Sequence, residues 1–188
     1  MVTELTEDQR LLDKIRNPAS REEGFSALVR CYHKRIYWLV RRLVVDHDDA
    51  NDITQDIFIK VHQHLDGFRE DSRLFTWIYR IATNESLGFL RRKRRRFLVP
   101  LGDVENELAG LIESGQGLSG TELEKRLQLA ILELPEKQRL VFNLRYFDDM
   151  PYEQMAEVTG TSEGALKASY HHAVRKIERK LITALHTD

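Results

Sequence analysis

One pattern dominates the chain: apolar residues recur every three or four positions through almost its whole length. Phe25, Leu28, Val29, Tyr32, Ile36, Leu39, Val40 and Leu43 fall on one side of a helical wheel, the spacing of an amphipathic α-helix rather than of a strand. Ala50, Ile53, Ile57, Val61 and Leu65 repeat it, as do Phe75, Ile78, Ile81, Ala82 and Phe89. Leu123, Leu127, Ala130, Ile131 and Leu134 form a stripe that stops near Pro135, and Leu140, Val141 and Leu144 form the next. No alternating apolar run marks a strand. The pattern therefore predicts an all-α protein.

Start signals divide the helices. Thr6 with Gln9 has the spacing of a capping box ahead of Leu11, Leu12 and Ile15, and Ser20 with Glu23 has it ahead of the long stripe. The third helix is expected to begin near Asp48 or Asp49, and Arg69–Ser72 to form a polar loop before the fourth.

Between Gly102 and Gly120 the composition changes. Five glycines and two serines occur there, and from Phe97 to Glu122 there are five acids and no Lys or Arg. That is the make-up of a flexible acidic linker. The expected organisation is two small helical domains, residues 1–96 and 123–188, joined by a flexible acidic linker at 97–122.

Composition excludes several classes. No apolar run approaches the ~18 residues of a membrane helix, and the polar, acidic start from Met1 to Arg10 does not resemble a signal peptide. A cytoplasmic protein without membrane insertion is expected. Cys31 is the single cysteine, so neither an internal disulfide framework nor a cysteine-rich zinc site can form. No cofactor is expected.

Lys+Arg is 29 against Asp+Glu 30, but the near-zero sum hides blocks of charge. Asp46, Asp48, Asp49, Asp52 and Asp56 crowd one helix start, and Arg91 to Arg96 are six consecutive cations. From Ala165 onward there are five cations, two acids and three histidines.

Met150–Leu181 carries the clearest motif. Pro151 suits a first helical turn, and Tyr152, Met155, Ala156 and Val158 give a short helix. Thr159, Gly160, Thr161 and Ser162 give a tight turn. Leu166, Tyr170, Ala173, Ile177 and Leu181 then line one face of a longer helix. This is a helix-turn-helix pattern. The outer face of its second helix holds Lys167, Ala168, His171, His172, Arg175 and Arg179, small and polar groups for base edges followed by cations for phosphates. A plain helical hairpin with a solvated basic face is the competing interpretation. Adjacent His171 and His172 point about 100° apart on a helix and lack a third ligand at suitable spacing, which disfavours metal.

From Phe68 to Asn84 aromatic, amide and cationic side chains are interleaved, the mixture that holds an unstacked base. Phe75 and Trp77 fit a core better. Phe68, Asn84 and the loop between them are the candidates for a base pocket, with the Arg91–Arg96 run holding backbone nearby.

On these residues the chain resembles an extracytoplasmic-function sigma factor, the compact subfamily of bacterial RNA polymerase sigma factors. Asp52-Ile53-Thr54-Gln55-Asp56-Ile57-Phe58 resembles the core-polymerase motif of sigma region two. Phe68 through Asn84 resembles the promoter-melting and minus-ten segment. Leu134-Pro135-Glu136-Lys137-Gln138-Arg139 with the helix-turn-helix resembles region four. The resemblance implies no enzymatic active site. It implies that Asp52, Gln55 and Asp56 face the polymerase clamp coiled coil, although the family usually has Glu where Asp56 stands. It implies that Phe68, Arg69, Glu70, Asp71, Ser72 and Asn84 form the pocket for a flipped minus-ten base. Lys167, Ala168, His171, His172 and Arg175 would lie on the minus-thirty-five element, where the family often has Arg in place of His172. The implied partners are core RNA polymerase, promoter DNA and an anti-sigma factor. Two other classes fit parts of the sequence. One is a stand-alone helix-turn-helix regulator, which would bind an operator tightly alone. The other is a magnesium phosphodiesterase using the Asp46–Asp56 carboxylates, for which no general base is evident.

Overall fold

The computed structural model describes residues 2–96, 110 and 121–185. The expected linker falls almost wholly outside them. Eight α-helices and one 3-10 turn are present among the described residues, with no strand. They are α1 (Val2–Arg16), α2 (Arg21–Val44), α3 (His47–His64), α4 (Leu74–Arg96), α5 (Glu122–Leu132), α6 (Glu136–Tyr146), α7 (Tyr152–Thr159) and α8 (Glu163–Leu185), with the 3-10 turn at Leu65–Gly67. The all-α class and the helical stripes agree with the sequence pattern.

Helix α2 is the axis of the first domain, and α1, α3 and α4 pack around it. Its Leu28, Ile36, Leu39 and Val40 are fully buried, each removing an aliphatic side chain from water at a gain of about 1.5–3 kcal/mol. Ile57 and Val61 from α3 and Ile78, Tyr79 and Ala82 from α4 complete the core. Thr54 and Ser86 are also buried there. Each satisfies its hydroxyl by donating to the carbonyl one turn back, Ala50 at 2.7 Å and Ala82 at 2.8 Å.

Several helix starts differ from the sequence expectation. Helix α1 already begins at Val2, so Thr6 lies inside it and does not cap it. Nothing among the preceding residues breaks a helix, and a cap signature only permits a start. Ser20 does occupy the N-cap of α2, but no capping box forms. Its hydroxyl donates to the Lys14 carbonyl at 2.9 Å and Glu23 pairs with Lys14 Nζ at 2.7 Å, so both side chains fasten α2 to α1 instead. Helix α3 starts at His47, one residue earlier than expected, because Asp46 accepts the Asp49 N–H at 2.8 Å. A box that the sequence analysis missed opens α5. Thr121 Oγ1 accepts the Glu124 N–H at 3.3 Å while the Glu124 carboxylate accepts the Thr121 N–H at 2.6 Å. Those contacts hold the Glu124 carboxyl below its usual range. Glu122 is thus helical, one residue inside the expected linker, and Leu123 is exposed rather than part of the buried stripe.

The second domain has a small core of Ala130, Ile131, Leu134, Phe142, Ala173 and Ile177. The two small helical domains expected from the sequence meet at a shared junction. Leu140, Val141, Leu144, Met150, Met155, Val158 and Leu166 belong to the same continuous core as α2, α3 and α4. Helix α7 lies against α4 and α6 against α2. At the rim of this contact Arg42 Nη2 donates to the Asp148 carboxylate, and both side chains are nearly buried. The Arg42 guanidinium also sits 4.8 Å over the Phe147 ring. Burial pushes the Asp148 carboxyl above its usual range even with Arg42 opposing the shift. Thr76 Oγ1 donates to the Glu157 carboxylate at 3.1 Å and Arg80 Nη2 to the Glu157 carbonyl at 2.7 Å.

Candidate polymerase and nucleic-acid interfaces

Helix α3 is built by its apolar stripe. Burying Ile53, Ile57 and Val61 turns Asp52, Gln55 and Asp56 to solvent, where all three are exposed. The acidic block divides by task. Asp46 caps the helix, and Asp49 is half-buried against Lys93 Nζ at 3.2 Å. Asp48, Asp52 and Asp56 form an exposed row at four-residue spacing. Beside them α2 and α3 enclose a groove of about 550 Å³ lined by Phe25, Val29, His33, Phe58, Ile59 and His62, with Gln55 at its edge. Ile59 is 46% exposed there. This groove was not among the sequence expectations. Its one signal was Ile59 next to Phe58, an aliphatic residue off the buried stripe. At the helix start the Tyr37 hydroxyl lies 2.8 Å from His47 Nδ1, and Asn51 Nδ2 lies 3.1 Å from His47 Nε2.

The candidate base pocket lies where the 3-10 turn leads into α4. Phe68 is half-buried with its ring 5.1 Å from that of Trp77. Asn84 is exposed seven residues beyond Trp77, on the same side of the helix. Trp77 and Phe75 are both half-buried and pack against the core, as expected of core-side aromatics. The Phe75 ring has the Arg35 guanidinium 5.0 Å away. The fully buried aromatic is Tyr79, absent from the expected stripe. In the loop, Arg69 and Asp71 pair at 3.5 Å while both stay over three-quarters exposed. Glu70 adopts a left-handed φ of 60° and pairs with Arg16 of α1, so its carboxylate is engaged within the protein. Ser72 is half-buried. The cationic run ends α4. Arg91 and Arg92 are exposed, but Lys93 turns inward to Asp49, so the run does not act as six equivalent backbone contacts.

The helix-turn-helix is α7, its turn and α8. Pro151 precedes the helix at the N-cap rather than entering its first turn. Gly160 ends α7 at φ 66°, a left-handed cap that favours glycine. Ser162 Oγ then accepts the Ala165 N–H at 3.4 Å. Leu166, Ala173 and Ile177 are buried, which leaves Lys167, Ala168, His171, His172, Arg175 and Arg179 exposed on the outer face. Lys167 pairs with Glu163 at 3.0 Å and lies 5.4 Å over the Tyr152 ring. The rings of His171 and His172 are 6.2 Å apart at 57°. Among the described residues no group of three or more His, Cys, Asp or Glu is gathered to hold a metal ion, and no helix is long and apolar enough to cross a membrane.

The fold is therefore an all-α pair of domains with a helix-turn-helix in the second. Residues 28–96 match the family described as Sigma-70 region 2, and residues 124–177 match Sigma-70, region 4. Over 185 residues the chain is 32% identical to the RNA polymerase sigma-H factor of Pseudomonas aeruginosa, covering 93% of this chain and 94% of that one. It is 31% identical over 190 residues to the ECF RNA polymerase sigma-E factor of Escherichia coli, with 96% and 97% covered. Its fold matches the sigma factor RpoE of Bartonella quintana, solved in complex with the anti-sigma factor NepR, at a TM-score of 0.65 and 20% identity. That match covers 85% of this chain and 97% of that one. The chain belongs to the extracytoplasmic-function subfamily of RNA polymerase sigma factors. It directs core RNA polymerase to specific promoters.

Proposed function

We propose that three separate surfaces divide the work of initiation. The exposed row of Asp52, Gln55 and Asp56 docks on core polymerase. Phe68, the Arg69–Ser72 loop and Asn84 capture an unstacked minus-ten base, with Trp77 as the wall against which it rests. The outer face of α8 reads the minus-thirty-five element, Lys167, Ala168, His171 and His172 at base edges and Arg175 at phosphate. These steps need binding and no covalent chemistry, so the chain works without an active site of its own.

The observation that carries this reading is the split of α3. Three buried aliphatic residues fix the helix, and the opposite side presents acids and an amide that the fold does not need. A helix-turn-helix regulator acting alone has no use for such a face. The Bartonella quintana relative is bound by an anti-sigma factor, and we extend that class of partner to this chain. Run-off transcription with purified core polymerase, with and without the chain, tests the whole. Promoter-specific transcripts are expected only when both are present. Nanomolar binding to promoter duplex by the free chain, without polymerase, would favour the stand-alone regulator.

A further inference from the structure

The loop at the candidate base pocket has few anchors of its own. Phe68 is the one apolar side chain between Leu65 and Leu74, and its ring rests near that of Trp77. The other fixings come from the turn between α1 and α2. Arg16, the last residue of α1, pairs with Glu70. Arg21, the first residue of α2, donates from Nη1 to Asp66 Oδ1 at 2.7 Å and from Nη2 to Asp66 Oδ2 at 3.0 Å. Such a two-pronged pair fixes direction as well as distance, and it holds the Asp66 carboxyl below its usual range. Asp66 and Glu70 stand two residues either side of Phe68. The turn thus closes on the loop like a clasp, with one anchored acid before the aromatic and one after it. The clasp is itself braced. Leu11, Leu12 and Ile15 bury one side of α1, and Ser20 and Glu23 fasten α2 to it through Lys14.

Folding stability does not account for this arrangement. Arg16 and Glu70 are 53% and 37% exposed, and exposed ion pairs contribute little to stability. Yet Glu70 holds a left-handed φ of 60°, a backbone state unfavourable to a residue with a Cβ. Such states persist where surrounding contacts impose them, and they gather at binding sites. Arg16 is the contact that imposes this one. A loop held in shape beforehand loses less freedom when it binds.

We propose that Arg16 and Arg21 are positioning residues for minus-ten recognition. They hold the loop from Asp66 to Ser72 in its base-binding shape without touching DNA, and Glu70 is an anchor for Arg16 rather than a base contact. The inference rests on the reading of Phe68, the loop and Asn84 as the base pocket. It gives the amino-terminal helix, which carries none of the promoter-reading residues, a part in choosing the base.

The test is a promoter library varied at both elements and transcribed by holoenzyme. Arg16→Ala is expected to flatten the minus-ten preference about threefold, and Arg16→Ala with Arg21→Ala about tenfold. The minus-thirty-five preference should stay unchanged in the same transcripts. Arg16→Lys keeps the charge and is expected to keep the minus-ten preference. Glu70→Ala should match Arg16→Ala, and the two combined should lose no more than either alone. Additive losses would mean that Glu70 reads the base independently, which overturns the proposal. So does an unchanged minus-ten preference in the double arginine variant, or an equal loss at both elements. Amide exchange in the free chain is the second measurement. The Phe68 N–H donates to the Leu65 carbonyl at 3.1 Å, and its exchange is expected to quicken at least about threefold in the double arginine variant. An unchanged rate also overturns the proposal. Asn84→Ala leaves the clasp intact. If it alters the minus-ten preference and the arginine variants do not, the clasp alone fails. If Asn84→Ala alters nothing, the pocket reading fails, whereas exchange at Phe68 still decides whether the arginines hold the loop.

Discussion

A single residue in this protein acts through the side of the helix on which it falls. Asp52 and Gln55 are exposed on a helix whose opposite side is buried, so replacing both by Ala should cost little folding stability. Interfaces concentrate their energy in few side chains, and the double substitution is expected to weaken core polymerase binding by about 2 kcal/mol. Competition against a labelled sigma factor measures this, with circular dichroism confirming unchanged helicity. On α8 the split runs along the helix. His171 and His172 can each donate or accept at a base edge, whereas Arg175 can only donate and suits phosphate. His171→Ala or His172→Ala is expected to change the preferred minus-thirty-five sequence at a cost of about 1–3 kcal/mol on the right site. Arg175→Ala should weaken all sequences alike and reduce the salt slope by about one. A promoter library transcribed with each holoenzyme separates the two behaviours. A histidine variant that keeps the wild-type preference would reverse the assignment.

At the scale of the element, what was legible in the sequence was whatever depends on neighbours along the chain. The stripes of α2, α3 and α8 follow from period alone, and the exposure of Asp52 and His171 follows from the stripes. The Gly160 turn was legible because a left-handed residue after a short apolar helix calls for glycine. Helix ends were less so. Ser20 and Glu23 have the spacing of a capping box, yet α1 offers both a closer partner through Lys14, and no local rule reveals that. The same crossing of α1 and α2 explains Gly24, which carries no signal in the sequence. A Cβ there would lie 2.9 Å from both Cγ1 and the backbone nitrogen of Ile15. Gly24→Ala would gain about 1 kcal/mol of helix propensity, but overpacking costs about 1–3 kcal/mol. The overpacking prevails because a backbone atom cannot rotate away. Net destabilisation of up to about 2 kcal/mol is expected from urea unfolding. A more stable variant would mean that α1 can slide on α2.

At the scale of the whole molecule the sequence is least informative, because the junction joins residues with no periodic relation. Arg42 and Asp148 are 106 positions apart yet form one nearly buried ion pair. Each alone reads as an ordinary surface charge. Tyr79 reports on this junction from inside. Burial, reinforced by the charge of Asp148, pushes its phenol up from 10.0 to about 12. A folded-state value above the unfolded one stabilises the fold at pH below the unfolded value, and that stabilisation is lost as pH rises through the folded value. The window for Tyr79 therefore runs from about pH 10 to about pH 12, and its full contribution is about 2–3 kcal/mol. Tyr79→Phe has no proton to lose. The stability difference between wild type and Tyr79→Phe should be constant up to about pH 10 and then shift against the wild type by that amount. Denaturation at stepped pH measures the shift, and tyrosinate absorbance locates the titration. If the difference stays flat across the window, the Tyr79 phenol ionises as easily in the folded chain as in the unfolded one, and Tyr79 is not enclosed by the junction.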